Sequence, residues 1–244
     1  MAQSLLGVFA HPDDETFAIA GALRRSRLAG RQVTLVVATD GDAGRSSGIP
    51  VSGPEELAVV RRAELLRAAG VLGVDRVLAL GLPDGQLSTW PPDPLLAQLV
   101  GAVRDARPEV VVTFGPEGAP NRHADHRAIS RLATAAFFLA PNLTMYPDAG
   151  TRREPWRPER LYYCSWEGDH PAGPDRPAVR GCAITCTLDI RDHLAAKSRA
   201  FDQYQTQQQH RRSFEYTMLP LEHYSLVSGR PQPAPVTDDL FAGL

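Results

Sequence analysis

Cysteine is scarce in this chain: Cys164, Cys182 and Cys186 are the only three, and no two have C-x-x-C spacing. An odd, unpatterned set excludes a disulfide-built scaffold and a cysteine-built zinc site. A surplus of positive charge is missing too. Twenty-six Lys+Arg stand against 28 Asp+Glu, for a formal net charge of -2. No strong positive field is available to grip a nucleic-acid backbone or an anionic membrane. No apolar run approaches the ~20 residues of a membrane-spanning helix. The opening MAQSLLGVFAHPDDE has no basic segment, and its apolar run is too short for a signal peptide. These absences predict a cytoplasmic protein whose partner is a small molecule, with no nucleic acid and no membrane. Any metal it binds must be held by His and carboxylate side chains.

What is present is enough apolar residue, 43% of 244, to build a large core. The apolar run 4–10 predicts a buried strand, and 12–29 an amphipathic helix closed by Gly30. QVTLVVAT at Gln32–Thr39 predicts a second strand, followed by a polar Gly/Ser-rich loop over 40–53. Pro54, with Glu55 and Glu56 in the first turn, opens a helix expected to end at Gly70. The pattern repeats as a strand at 76–80, a helix at 94–106, a strand at 109–114 and a helix at 123–140. Alternating strands and helices imply right-handed βαβ units. The expected fold is α/β, a Rossmann-like three-layer sandwich with a mostly parallel sheet.

Beyond Ala140 the composition shifts. Prolines recur through 141–180, strands are expected at 160–166 and 182–190, and 191–210 is helix-compatible. The last fifteen residues read as a loose tail. One domain is expected over 1–244, with a Rossmann-like half at 1–140 and a substrate-side elaboration at 141–244.

Two motifs carry chemistry. His11-Pro12-Asp13-Asp14-Glu15 falls where the first strand ends and the first helix begins. Helix-start chemistry accounts for the proline and the three acids. It does not account for His11, which sits at a strand's carboxyl end, three residues from Asp14 across a turn. His123-Ala124-Asp125-His126 follows the loop after the fourth strand, with its histidines at i, i+3 of a helix's first turn. Alone, such a pair is ordinary surface chemistry. Topology joins the motifs: in a doubly wound sheet ordered 3-2-1-4, strands one and four are neighbours at the switch point. Ligands bind in the crevice beyond their carboxyl ends. Imidazole and carboxylate are good zinc ligands, and three of them with an open position make a catalytic site. His11, Asp14 and one histidine of the second motif supply three. Asp13 and the other histidine are left for acid–base work. One Zn2+ per chain is the expected cofactor, and Fe2+ suits the same donors.

A strand followed by AHPDDE, with a later HxDH, resembles the LmbE/PIG-L family of zinc-dependent N-acetylglucosaminyl deacetylases. The resemblance covers residues 4–140 and, more faintly, the segment near Lys197. It implies that His11, Asp14 and His126 ligate zinc and that Asp13 is the general base. His123 would assist at the oxyanion or the leaving amine, with Asp125 orienting its imidazole. Either protonated Asp13 or His123 would protonate the amine. The family's R-x-x-E helix motif falls on Arg61 and Glu64, which places Arg61 near the substrate. Its acidic residue after strand three falls on Asp84 in LPDG. Both also fit plain structure, as a solvated helix pair and an Asp-Gly turn. Arg45, in the 40–53 loop, is a further candidate for meeting an anionic aglycone, although loop arginines are ordinarily solvated. That loop and Trp90-Pro91-Pro92 follow strand ends and are expected to wall the pocket.

The chain departs from the family pattern in two places. Ala124 stands where the family has Pro. Against the C-terminal K-x-x-A-x-x-x-H-x-S-Q, Lys197, Ala200 and Gln207 match, while Tyr204 and Thr206 replace His and Ser. The implied reaction is removal of the N-acetyl group from an N-acetylglucosamine-containing small molecule by a metal-activated water. One alternative is an amidase cleaving a larger N-acyl or thiol conjugate of a glucosamine glycoside. From another class come a non-catalytic metal-binding protein and a nucleotide-binding Rossmann-like protein. The last needs G-x-G-x-x-G after strand one, where three acids stand and would repel a pyrophosphate. A structural zinc wants a closed four-ligand set. Assembly as a homo-oligomer is open.

Overall fold

Strands covered on both faces favour apolar side chains, and Ser4–Phe9 (β1) is buried at every position. The computed structural model describes residues 3–152, 154–170 and 178–244. After β1 come α1 (Asp14–Ala18), α2 (Ala20–Leu28), β2 (Gln32–Thr39) and α3 (Pro54–Leu72). They are followed by β3 (Arg76–Leu82), α4 (Pro92–Ala106), β4 (Val110–Thr113) and α5 (Ala124–Leu139). Next are β5 (Arg160–Ser165), a short antiparallel pair β6 (Asp169–His170) and β7 (Val179–Arg180), and β8 (Cys186–Asp189). The chain closes with α6 (Leu194–Phe201), a 3-10 turn at Gln205–His210, α7 (Arg211–Glu215) and β9 (Leu221–Gly229).

Seven strands form one sheet in the order β3-β2-β1-β4-β5-β9-β8. The pairs from β3 to β5 are parallel, and β9 and β8 add antiparallel strands at one edge. Helices α2, α3 and α6 contact one another, as do α4 and α5, so two helical layers enclose the sheet. β1 lies between β2 and β4, and the chain leaves it in opposite directions, which is the expected switch point. The C-terminal strands extend this same sheet.

Several local expectations differ from the structure. The first helix is broken at Ile19, whose φ is -142°. The N–H groups of Gly21 and Ala22 at the start of α2 are taken by the Glu222 carboxylate at 2.9 Å each, which gives the second segment its own cap. The next long helix passes Gly70 and ends at Gly73, whose φ of 80° suits the left-handed cap that glycine accepts freely. The 191–210 segment is a helix flanked by 3-10 turns, and β9 is an additional strand. The last residues are not a loose tail. Arg160 donates to the carbonyls of Arg230, Pro231 and Leu240 at 2.9–3.0 Å, and Leu240 and Phe241 are buried. Within the proline-rich 141–180 stretch, 171–177 lies outside the described residues. Among the described residues, no helix is long and apolar enough to cross a membrane.

Candidate functional site

The two motifs meet beyond the carboxyl ends of β1 and β4. Asp14 turns back from the start of α1, and its Oδ2 accepts the N–H groups of Ala10 at 3.1 Å and His11 at 2.8 Å. That contact fixes the peptide bearing His11. From the other strand, His126 is buried in the first turns of α5 and stacks on Phe114, with ring centroids 4.2 Å apart. Its Nδ1 faces the Gly118 carbonyl at 3.2 Å and donates to it, which leaves Nε2 pointing inward.

Three donors converge there. His126 Nε2 lies 3.1 Å from His11 Nδ1 and 3.1 Å from Asp14 Oδ1, and His11 Nδ1 lies 3.5 Å from Asp14 Oδ2. Ligands about 2.05 Å from a tetrahedral zinc stand roughly 3.3 Å from one another, and these edges are of that size, with His126 meeting Asp14 at Oδ1 and His11 meeting it at Oδ2. Two imidazole nitrogens facing each other at this distance need a cation between them, a proton or a metal ion. The ring nitrogens of His11, His123 and His126 all fall within 4.8 Å of one another, as do donors of His11, Asp84 and Asp125. The His/Asp cluster is a candidate site for a single divalent ion of the zinc type.

Carboxylates hold His11 from its other edge. Nε2 lies 2.9 Å from Asp84 Oδ1 and 3.4 Å from Asp125 Oδ2. Burial opposes charge on this imidazole, but its hydrogen bonds to Asp125, Asp14 and Asp84 outweigh burial and raise it well above the usual histidine range. Burial likewise opposes ionisation of Asp14, yet the charges and hydrogen bonds of His126 and His11 hold it well below the usual carboxylate range. Asp84 and Asp125 are also lowered, by their contact with His11 against burial.

Asp125 was expected to orient His123, and the structure places its carboxylate elsewhere. It accepts the N–H groups of Gly85 at 2.7 Å and Leu87 at 3.0 Å and faces His11. Its link to His123 runs through the backbone, where the Asp125 N–H donates to His123 Nδ1 at 3.2 Å. The His123 ring stands edge-on to His11 with centroids 4.7 Å apart. Burial, then the neighbouring His11 and His126, lower its pKa.

Asp13 precedes α1 with φ at 102°, a conformation that costs a non-glycine residue ~1–3 kcal/mol. The Pro12 carbonyl accepts from Arg61 Nη2, and the Asp13 N–H donates to Glu15 Oε2 at 3.1 Å. The Asp13 carboxylate lies 3.4 Å from Arg61 Nη2. Burial pushes it up to about 7, against the pull of Arg61 and with the push of Asp14. A carboxyl group in that range suits proton exchange near neutral pH.

Arg61 is buried and braces this turn. Its Nη1 also donates to the Gly41 carbonyl at 2.8 Å. Gly41 has φ at 68°, and a Cβ there would come within 2.1 Å of that nitrogen. Arg45 is exposed, and its carbonyl accepts from Gln207 at 3.2 Å and Gln209 at 2.9 Å. This ties the 40–53 loop to the 3-10 turn at Gln205–His210, and among the described residues no bond joins the Arg45 side chain to the cluster. Trp90 packs against the core.

Sequence reasoning gave no role to several groups around the site. Glu15 is fully buried and accepts the Tyr204 hydroxyl at 2.6 Å, and burial pushes it up to about 8. Glu64 accepts the Thr206 N–H at 2.9 Å and the Thr206 hydroxyl. The signal for both was the pair of departures at 204 and 206, whereas a backbone carbonyl such as that of Gly118 leaves no trace in residue type. Lys197 is buried away from the cluster, against Glu222 at 3.3 Å.

The chain matches the family model described as PIG-L, GlcNAc-PI de-N-acetylase, over residues 6–137. It is 31% identical to 1D-myo-inositol 2-acetamido-2-deoxy-alpha-D-glucopyranoside deacetylase of Rhodococcus opacus (strain B4), over 83% of this chain and 81% of that one. Its structure is similar to that of N,N'-diacetylchitobiose deacetylase from Pyrococcus horikoshii, with a TM-score of 0.73 at 19% identity, covering 93% of this chain and 84% of that one. It is also similar to GalB, the 4-carboxy-2-hydroxymuconate hydratase of Pseudomonas putida KT2440, with a TM-score of 0.71 at 20% identity, covering 95% and 99%. A deacetylase and a hydratase on one architecture show that the fold alone leaves the reaction open. The family match is more specific, because it spans both AHPDDE and HADH, and it establishes that the chain belongs to the PIG-L family of GlcNAc-PI de-N-acetylases.

Proposed function

We propose that this chain removes the N-acetyl group from an N-acetylglucosamine-containing small molecule by metal-assisted hydrolysis. In this reading His11, Asp14 and His126 hold the metal and Asp13 is the general base. The observation that carries it is the convergence of three donors at 3.1–3.5 Å, at the switch point of a chain from a de-N-acetylase family. Bound there, a zinc ion would polarise the acetyl carbonyl and lower the pKa of a water toward ~7.

The chain's own groups supply the proton transfers. Asp13, poised at about 7 by burial, takes the proton from the attacking water. His123 receives a hydrogen bond at Nδ1, so in its neutral form the ring proton sits on Nε2. That N–H donates to the oxygen of the collapsing amide and stabilises its developing charge. The proton held by Asp13 then passes to the leaving nitrogen, and the products are acetate and the free amine. Asp84 and Asp125 keep His11 turned toward the cluster, a supporting role that metal-binding histidines ordinarily require.

One domain is inferred, with 1–140 building the site and 141–244 closing it on the substrate side. A cytoplasmic location is supported by the free thiols of Cys164, Cys182 and Cys186. The test is amine release from a panel: N-acetylglucosamine, its malate and inositol glycosides, and N,N'-diacetylchitobiose, each with and without chelator. At least one member should yield free amine, lost with chelator and restored by zinc. Turnover that survives complete metal removal overturns the reading.

A further inference from the structure

We propose that Tyr204 is a positioning residue for the base: through Glu15 it holds the Pro12–Asp13 peptide and so sets the aim of the Asp13 carboxylate. The inference rests on the reading of Asp13 as general base. Tyr204 is fully buried at the head of the 3-10 turn Gln205–His210, and its hydroxyl donates to Glu15 Oε1 at 2.6 Å. The other oxygen of that carboxyl group accepts the Asp13 N–H at 3.1 Å. At the opposite end of the same peptide unit, the Pro12 carbonyl accepts from Arg61 Nη2.

A peptide unit is planar, so gripping its C=O and its N–H together fixes its orientation. That orientation sets φ of Asp13, which stands at 102°. Such a conformation persists only while its surroundings over-determine it. With the Tyr204 hydroxyl gone, one oxygen of Glu15 loses its donor and the carboxyl group is free to rotate. The Asp13 N–H then loses its acceptor, the backbone relaxes toward negative φ, and the carboxylate swings off the attacking water. A misplacement of about 1 Å at a reacting group costs on the order of 10²-fold in rate. The contacts of His11, Asp14 and His126 with one another do not run through Tyr204, so metal binding is spared.

A packing role for the same ring predicts something else: lower stability with a normal rate in the folded fraction. Tyr204→Phe keeps the ring and deletes only the hydroxyl. The expected result is a fall in kcat of roughly 10–100-fold, with KM within about twofold and zinc content unchanged. Glu15→Leu, close in size but with no acceptor for the Asp13 N–H, should show the same pattern. The double variant should be no slower than the slower single one, because both changes cut one chain of contacts. A folded, zinc-replete Tyr204→Phe with wild-type kcat overturns the proposal, and so does a loss that adds to that of Glu15→Leu. If Tyr204→Phe does not fold, wild-type kcat in Glu15→Leu overturns it. Asp13→Asn separates the levels. Inactive Asp13→Asn beside fully active Tyr204→Phe refutes the positioning role alone, whereas active Asp13→Asn refutes the base assignment beneath it.

Discussion

Asp13→Asn deletes the base while leaving its surroundings nearly intact, which makes it the cleanest perturbation of the proposed chemistry. Position 13 has φ at 102°, and asparagine accepts left-handed backbone better than other non-glycine residues. The amide oxygen still faces Arg61, which stands 3.4 Å from the native carboxylate. The edges joining His11, Asp14 and His126 do not involve residue 13, so the metal should stay. General acid–base assistance contributes typically ~10²–10⁴-fold. Asp13 is assigned both transfers, taking the proton from water and giving it to the amine. The expected loss therefore lies at the upper end, ~10³–10⁴-fold in kcat, or about 4–5.5 kcal/mol of barrier. KM should hardly change, because proton transfer is felt only in the transition state. Initial rates of amine release at saturating substrate, with zinc stoichiometry measured on the same sample, check this. A kcat within about threefold of wild type in the zinc-loaded variant would refute the reasoning.

Two further predictions concern the metal. Asp125→Asn places an amide nitrogen against the N–H of Gly85 or Leu87 and weakens the hold on His11, so zinc affinity in a chelator competition should fall ~10–100-fold; unchanged affinity would contradict the role given to that carboxylate. Zinc uptake by the metal-free chain should release a proton near neutral pH. His11, raised by its three carboxylate partners, must surrender the proton on its metal-facing nitrogen, while Asp14 is already ionised. Affinity should therefore rise about tenfold per pH unit until the raised His11 pKa is passed. Calorimetry in buffers of different ionisation enthalpy measures the proton, and an affinity that is flat from about pH 6 to 8 would sink the idea.

The central strands were readable because burial on both faces demands the Val- and Leu-rich runs that β1, β2 and β4 carry. β9 was not, and Glu222 shows why. It is buried within LEHYSLVSG, where a hydrophobic alternation would require an apolar residue. Its carboxylate caps Gly21 and Ala22 and meets Lys197 and the Tyr224 hydroxyl, so the polar residue is satisfied by partners far away in the chain. A strand whose inward positions serve a distant helix has no period to detect. The pinned C-terminus escaped notice for a similar reason, since Arg160 grips backbone carbonyls, which every residue possesses.

The candidate His/Asp cluster is local in each half: His11 to Asp14 span one strand–helix turn, His123 to His126 another, and strand order places them together. Spacing could not tell which atom a charge would meet: Asp84 faces His11, Asp125 accepts the Gly85 and Leu87 N–H groups, and Arg61 lies beside Asp13. Position 204 is the most instructive. Tyrosine stands where the family has histidine, yet both side chains are hydrogen-bond donors, and here the donor ends on Glu15. Residues of the last third thus end on the first 140, among them Tyr204 on Glu15, Thr206 on Glu64, and Glu222 on the start of α2. Without them, Glu15 would keep only the Asp13 N–H and Glu64 would lose its bonds from Thr206; a buried carboxyl group left without a donor costs ~1–3 kcal/mol or more. Bracing the first 140 residues is therefore one thing that residues 141–244 do. The turn that carries Asp13 lies in the first 140 residues and is braced from residue 204 through Glu15.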